Sequence, residues 1–256
     1  EYSITQTPLN EQDLKTMSEA VEVLRQFKGF SYFTEMSDII NRLEDHVASA
    51  RMKTTPVIDF EKNESLKGLD YLDTIYHAIV NEHPIQLKYR SFKARSANSF
   101  IFYPYLLKEY RNRWFVYGVR GNGRILQNLA LDRIQSLEVL PQEHYIKNTF
   151  FDPNTFFDDL VGVTKNSGSV AEKIGFKVAA AEAPYIITKP IHRSQQVVER
   201  LADGSVILEI EVVINHELER VFFGYAEGIQ ILYPKTLVEL MGRKLKKAAE
   251  QYTHSK

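Results

Sequence analysis

The 256-residue chain contains no cysteine. That excludes a disulfide framework, a zinc–thiolate site and a thiol nucleophile. It also fits a reducing compartment, so a cytoplasmic location is expected. There is no run of about 18 apolar residues that would span a membrane, and no signal-peptide pattern opens the chain. The first residue is Glu1 rather than Met, which leads us to expect a further segment upstream. Catalytic signatures are equally scarce. Gly121 and Gly123 form a G-x-G, but no third glycine follows and a strand comes next instead of a helix, so a hairpin turn explains them better than a phosphate loop. No G-x-S-x-G occurs, and the seven histidines include no i, i+4 pair that would make a metal-binding helical face. Asp158 and Asp159 are adjacent, and neighbours one apart on a helix do not converge on one substrate. We expect no enzyme, no metal and no cofactor.

What is present is an uneven distribution of charge. The net charge of −1 hides a net of −7 over residues 1–82, +7 over residues 83–140 and −1 over residues 141–256. The middle block holds 10 basic and 3 acidic side chains. A concentrated positive field attracts phosphates and other anions. The plainer reading is that basic residues merely solvate a small barrel.

Three blocks follow from periodicity. Over residues 10–50 two helices are predicted, the first with Asn10 as N-cap and Leu14, Met17, Val21, Leu24 and Phe27 at helical spacing before Gly29. Residues 51–67 read as a linker or an extended strap, and a third helix over 68–82 ends before Pro84. The period then changes to strands at 85–91, 99–110, 113–120, 125–131 and 134–140, with RGNGR (120–124) as a turn. Pro104 inside the second run predicts an edge strand, a bulge or a bend. Five short, closely spaced strands favour a small barrel. Residues 142–170 read as a connector with a short helix near 153–161. The rest reads as β-α-β-β-α-β plus a closing helix over 235–252, with Ala202-Asp203-Gly204 as a hairpin turn, the split-βαβ ferredoxin-like pattern. The predicted fold class is thus α+β: a helical segment and linker (1–83), a five-stranded Sm/SH3-like barrel (84–141), a connector (142–170) and a ferredoxin-like domain (171–256).

The stretch Asn112–Val119, NRWFVYGV, holds the only tryptophan. Alternation puts Trp114, Val116 and Gly118 on a core face, and Arg113, Phe115, Tyr117 and Val119 on the other. Tyr89, Tyr103, Tyr105, Tyr110 and Tyr117 share this block with Lys88, Arg90, Lys108, Arg111, Arg113 and Arg133. Rings interleaved with cations suit stacking of bases and neutralisation of phosphates. Trp114 reads as core, because a lone tryptophan in a mid-barrel strand mainly supplies buried area.

The run from Pro104 to Ile134, PYLLKEYRNRWFVYGVRGNGRILQNLALDRI, resembles the WYL domain, named for its Trp-Tyr-Leu strand. The proline, LKE, NRW and LDRI carry the resemblance, and YRS (89–91) matches the family's first strand. Residues through LYPKTLVELMGRKLKKAAEQY (232–252) resemble the C-terminal extension that often follows such a domain, and the first 80 residues resemble the segment before it. The resemblance implies the sensing region of a bacterial transcription regulator. Such a regulator has an Sm-like barrel that takes single-stranded DNA or a nucleotide-like anion, and a winged helix-turn-helix at its N-terminus. No convincing helix-turn-helix precedes residue 84, and acidic helices are wrong for a duplex-binding element, so the DNA-binding domain is expected upstream. Phe115-Val116 replaces the family's Tyr-Leu, Gln127 and Asn128 stand where many members have Arg and Thr, and Phe100 sits near a common arginine position. Tyr89, Ser91, Lys108, Arg113 and Arg133 match, although Arg133 is alternatively a partner of Asp132 within the barrel. The candidate ligand or nucleic-acid residues are Tyr89, Ser91, Tyr103, Lys108, Arg113, Gln127, Asn128 and Arg133. Expected partners are DNA through the upstream domain, a nucleotide-like or single-stranded nucleic acid ligand at the barrel, and a second copy in a homodimer, with no membrane. The competing reading is a dimerisation scaffold with no small ligand.

Overall fold

The computed structural model describes residues 67–253 apart from Asn122 and Arg124. The helices expected over 10–50, and the linker up to residue 66, lie outside the described residues. The chain divides into two compact units between Lys147 and Asn148. Each contains one antiparallel sheet and helices, so the α+β class is observed.

The first unit opens with a 3-10 turn (Leu69–Tyr71) and helix α1 (Leu72–Val80). Leu72, Ile75 and Ala78 recur every third residue and form its buried face. Asn81 ends the helix by donating its side-chain N–H to the His77 carbonyl at 2.8 Å, and Pro84 prevents a restart. Entry to the helix requires Gly68. Its φ is 83°, and a Cβ there would lie 2.4 Å from the Leu131 carbonyl.

Five strands follow: β1 (Ile85–Tyr89), β2 (Asn98–Tyr110), β3 (Arg113–Arg120), β4 (Leu126–Ala130) and β5 (Ile134–Val139). Their order is β4-β3-β2-β1-β5. The expected barrel does not close, because β4 and β5 remain the two edges of an open sheet. The 3-10 corner Leu131–Arg133 that joins them sends them apart instead of turning them back as a hairpin. The sheet is nevertheless sharply curled. Straight, the 13 residues of β2 would run roughly 43 Å. Its first residue pairs with Tyr89 and its last with Arg113, yet Tyr89 and Arg113 both reach the corner Leu131–Arg133. The bend sits where the pairing to β3 shifts between Pro104 and Leu106. Proline donates no ladder hydrogen bond, so it falls at an irregularity. The strand is bulged and central; it is not an edge.

Ile85, Leu87, Phe102, Val116 and Leu131 are fully buried with Leu72 and Ile75 in one core, and Trp114 packs against it partly buried. The opposite face of β3 corrects the sequence reading. Tyr117 is 2% exposed and Val119 0%, so the middle of that face is covered, and exposure is confined to its Arg113 end.

The second unit contains β6 (Glu172–Val178), α2 (Ala183–Thr188), β7 (Gln196–Arg200), β8 (Val206–Val212), α3 (His216–Phe223), β9 (Ile229–Tyr233) and α4 (Lys235–Thr253). This is the element order read from the sequence, in a sheet ordered β7-β8-β6-β9. Ile174, Phe176, Val178, Leu208, Ile210 and Phe222 fill the core, with the Phe176 and Phe222 rings edge to face at 5.3 Å. The helix expected near 153–161 is instead a succession of turns. One i, i+4 bond forms, from the Phe156 N–H to the Asp152 carbonyl, before Asp158 and Phe157 turn through i, i+3 contacts. Asp158 and Asp159 are drawn to Arg193 and Lys165. Asn215 ties this segment down: its carbonyl oxygen accepts from the Leu218 N–H as the α3 N-cap, and its amide donates to the Val161 and Thr164 carbonyls.

Candidate functional site

The corner Leu131–Arg133 gathers side chains from distant parts of the first unit. Asp132 is the hub. The Arg113 Nε, from the start of β3, lies 3.3 Å from one carboxylate oxygen, and the Arg133 Nε lies 3.8 Å from the other. Tyr89, at the end of β1, hydrogen-bonds the Ala130 backbone and the Arg133 side chain. Burial raises its pKa, and the Arg133 guanidinium and the Ala130 backbone, whose N–H groups face the phenol oxygen, partly offset this. The Arg90 N–H donates to the Arg133 carbonyl at 3.1 Å. Beyond it the β1–β2 loop carries Phe92, which is 73% exposed, and the Arg133 guanidinium lies over its ring at 4.6 Å.

Of the sequence candidates, Tyr89, Arg113 and Arg133 therefore meet. Ser91 is next to them, its carbonyl accepting from the Ala94 N–H in the loop turn. Lys108 pairs in register with Phe115, which pairs with Ala130, one residue before the corner. Tyr103 and Gln127 do not join this group, and Asn128 lies two residues from Ala130 on the same face of β4. Tyr103 pairs with Val119, four residues from Phe115 along β3 and so roughly 13 Å from the Lys108 row. Asn128 pairs with Tyr117 and Gln127 with Gly118, which places the two amides on opposite faces of the sheet. The Tyr103 ring meets Tyr145, at 6.1 Å between centroids.

One carboxylate against two guanidiniums leaves the corner with surplus positive charge and surplus N–H donors. Lys88, Arg90, Lys93, Arg95, Arg111 and Arg120 have no carboxylate within ion-pair distance among the described residues. Among the described residues, these six cations of the 83–140 block therefore carry no compensating carboxylate. At Phe100, near a position where the resembled family commonly has arginine, the Arg120 guanidinium lies over the ring at 4.1 Å. Sequence reasoning passed over Phe92 because it falls outside strand alternation. Its signal was an aromatic between Arg90 and Lys93 in RSFKAR. Among the described residues no cluster of three or more His, Asp or Glu side chains is placed to hold a metal ion, and no helix is long and apolar enough to cross a membrane.

The WYL domain family model matches residues 70–139 and the WCX domain model residues 171–249. Among solved structures the chain is similar to proteasome accessory factor B/C (PafBC) of Arthrobacter aurescens, at 16% identity and a TM-score of 0.30 over 75% of this chain. It spans 28% of the length of that protein. A CRISPR Cas-related protein is similar at 10% identity and a TM-score of 0.45, over 98% of this chain and 88% of the other. Neither likeness bears on activity. No curated protein matches the sequence. The two matched models cover more than half of the residues, and the chain belongs to the WYL-domain family, with a WYL domain followed by a WCX domain.

Proposed function

We propose that the chain is the ligand-sensing region of a bacterial transcription regulator. Its WYL sheet takes a nucleotide-like or single-stranded nucleic acid ligand at the Asp132 corner and passes its state to a DNA-binding domain upstream. The observation that carries this reading is the corner itself: Arg113 and Arg133 share a single carboxylate, and an exposed ring, Phe92, lies beneath one of them. Guanidinium donors suit phosphate oxygens, and an exposed ring beside them suits a base. Lys108 and the loop cations Arg90, Lys93 and Arg95 extend the positive track. The strand orders support describing the first unit as an opened Sm-like barrel and the second as ferredoxin-like.

The test is fluorescence anisotropy of labelled decathymidylate at 50 and 200 mM salt. Each neutralised phosphate of a single strand contributes about −0.7 to the slope of log K against log salt. Two arginine contacts thus predict roughly sevenfold weaker binding over that interval. Lys108→Glu with Arg113→Glu abolishes it. Salt-insensitive binding, or binding that survives the double substitution, refutes the reading. A dimerisation scaffold is the second reading, and β7 favours it. All five of its residues are exposed on a sheet edge, with Val197 at 42% and Val198 at 58%. A dimer in sedimentation velocity that binds neither nucleotides nor oligonucleotides supports that alternative.

A further inference from the structure

After β5, residues 140–147 form a strap that leads to the second unit and runs past the β2 bulge. Tyr145 in this strap reaches both tyrosines that flank Pro104. Its ring lies 6.1 Å from Tyr103 and 6.1 Å from Tyr105, edge-on to each, and its hydroxyl donates to the carbonyl of Pro104 between them. Three rings and one hydrogen bond thus fill the space beside Tyr103, a candidate ligand residue. We propose that Tyr145 is an autoinhibitory occupant of this aromatic wall, which a flat ring of the ligand displaces from between Tyr103 and Tyr105. The proposal rests on the reading that the sheet binds a ring-bearing anionic ligand, here one long enough to reach from the Asp132 corner to Tyr103.

The rest of the strap is lightly held. Among the described residues it is held by the Leu140 N–H to the Pro84 carbonyl, a local turn from Glu143 to Leu140, and an exposed ion pair of Lys147 with Glu82 at 3.0 Å. Exposed pairs of this kind contribute little. Burial raises the Tyr145 pKa well above the usual range for a tyrosine, with smaller contributions from Tyr105 and Glu82, so the hydroxyl stays protonated and the bond to Pro104 persists across physiological pH. Lys147 is the last residue before the second unit. Ejecting Tyr145 therefore changes how the connector leaves the WYL sheet, which gives the ligand two arrangements with different affinities.

The experiment uses the whole chain and two probes, decathymidylate and an abasic decamer with the same phosphates. Tyr145→Ala binds decathymidylate about fivefold or more tighter than wild type, because the vacated wall accepts a base. Tyr145→Phe, which keeps the ring and loses the anchor, falls between the two. Neither substitution changes affinity for the abasic decamer. In wild type, amide hydrogen exchange over 140–147 rises when decathymidylate binds. Salt-dependent binding by wild type with no gain in folded Tyr145→Ala, an equal gain on the abasic decamer, or an unchanged exchange rate overturns the inference and leaves the proposed function standing. Failure of wild type and both variants to bind either probe overturns both.

Discussion

Asp132→Asn separates the two roles of the corner. The substitution keeps the side-chain shape and removes the one negative charge shared by Arg113 and Arg133, at 3.3 and 3.8 Å. Both arginines are partly exposed, so each pair contributes about 0–1 kcal/mol, and stability should fall by about 1 kcal/mol in all. An incoming phosphate loses a repelling neighbour. At about 7 Å and a dielectric constant near 80, that repulsion is about 0.6 kcal/mol, or roughly threefold in affinity. The gain should vanish at high salt, where the screening length falls to about 3 Å near 1 M. Urea denaturation measures the first effect, and anisotropy of decathymidylate at 50 and 500 mM salt the second. The reasoning predicts a less stable protein that binds more tightly at low salt. Weaker binding that tracks the stability loss would refute it, since Asp132 would then organise the site and oppose nothing.

Three further outcomes are expected. Phe92→Ala should leave the urea midpoint nearly unchanged, within about 0.5 kcal/mol, because the ring is exposed. It should still weaken decathymidylate binding by about 1 kcal/mol without altering the salt slope. In Gly118→Ala the new Cβ would sit 2.1 Å from the Tyr103 carbonyl and 2.6 Å from the Phe102 ring, so a loss of about 3 kcal/mol or more is expected in thermal melts. His192 lies below its ordinary pKa, chiefly through burial, opposed by the Asp158 backbone and the Asp158 and Asp159 carboxylates. The folded state then binds fewer protons than the unfolded. Stability is complete above about pH 6.5 and is lost as pH falls through the folded value. Melting midpoints at pH 7.5 and 5.5 should differ less in His192→Asn than in wild type.

Much of the architecture was legible because it is written in period. The five strands of the first unit and the β-α-β-β-α-β order of the second follow from alternation, turn residues and helical spacing. Closure was not legible. Whether β4 meets β5 depends on the path of Leu131–Arg133, and no pattern in LDR specifies a 3-10 corner. The turns at 153–159 were misread because Asp158 and Asp159 are captured by Arg193 and Lys165, partners remote or irregular in sequence. At the candidate site, Tyr89, Arg113 and Arg133 were found from motif and charge. The separation of Gln127 from Asn128 was already implicit in strand alternation, and the burial of Tyr117 and Val119 was not. Phe92 and Tyr145 lie in loops, where neither period draws attention to a ring.

The most direct test of the central claim is photocrosslinking of a short 5-iodouridine oligonucleotide to the intact chain, mapped by mass spectrometry. The account predicts adducts on Phe92 and Tyr89, beside Arg133, that diminish as salt rises. Adducts confined to residues 148–253, or none at any salt, would contradict it.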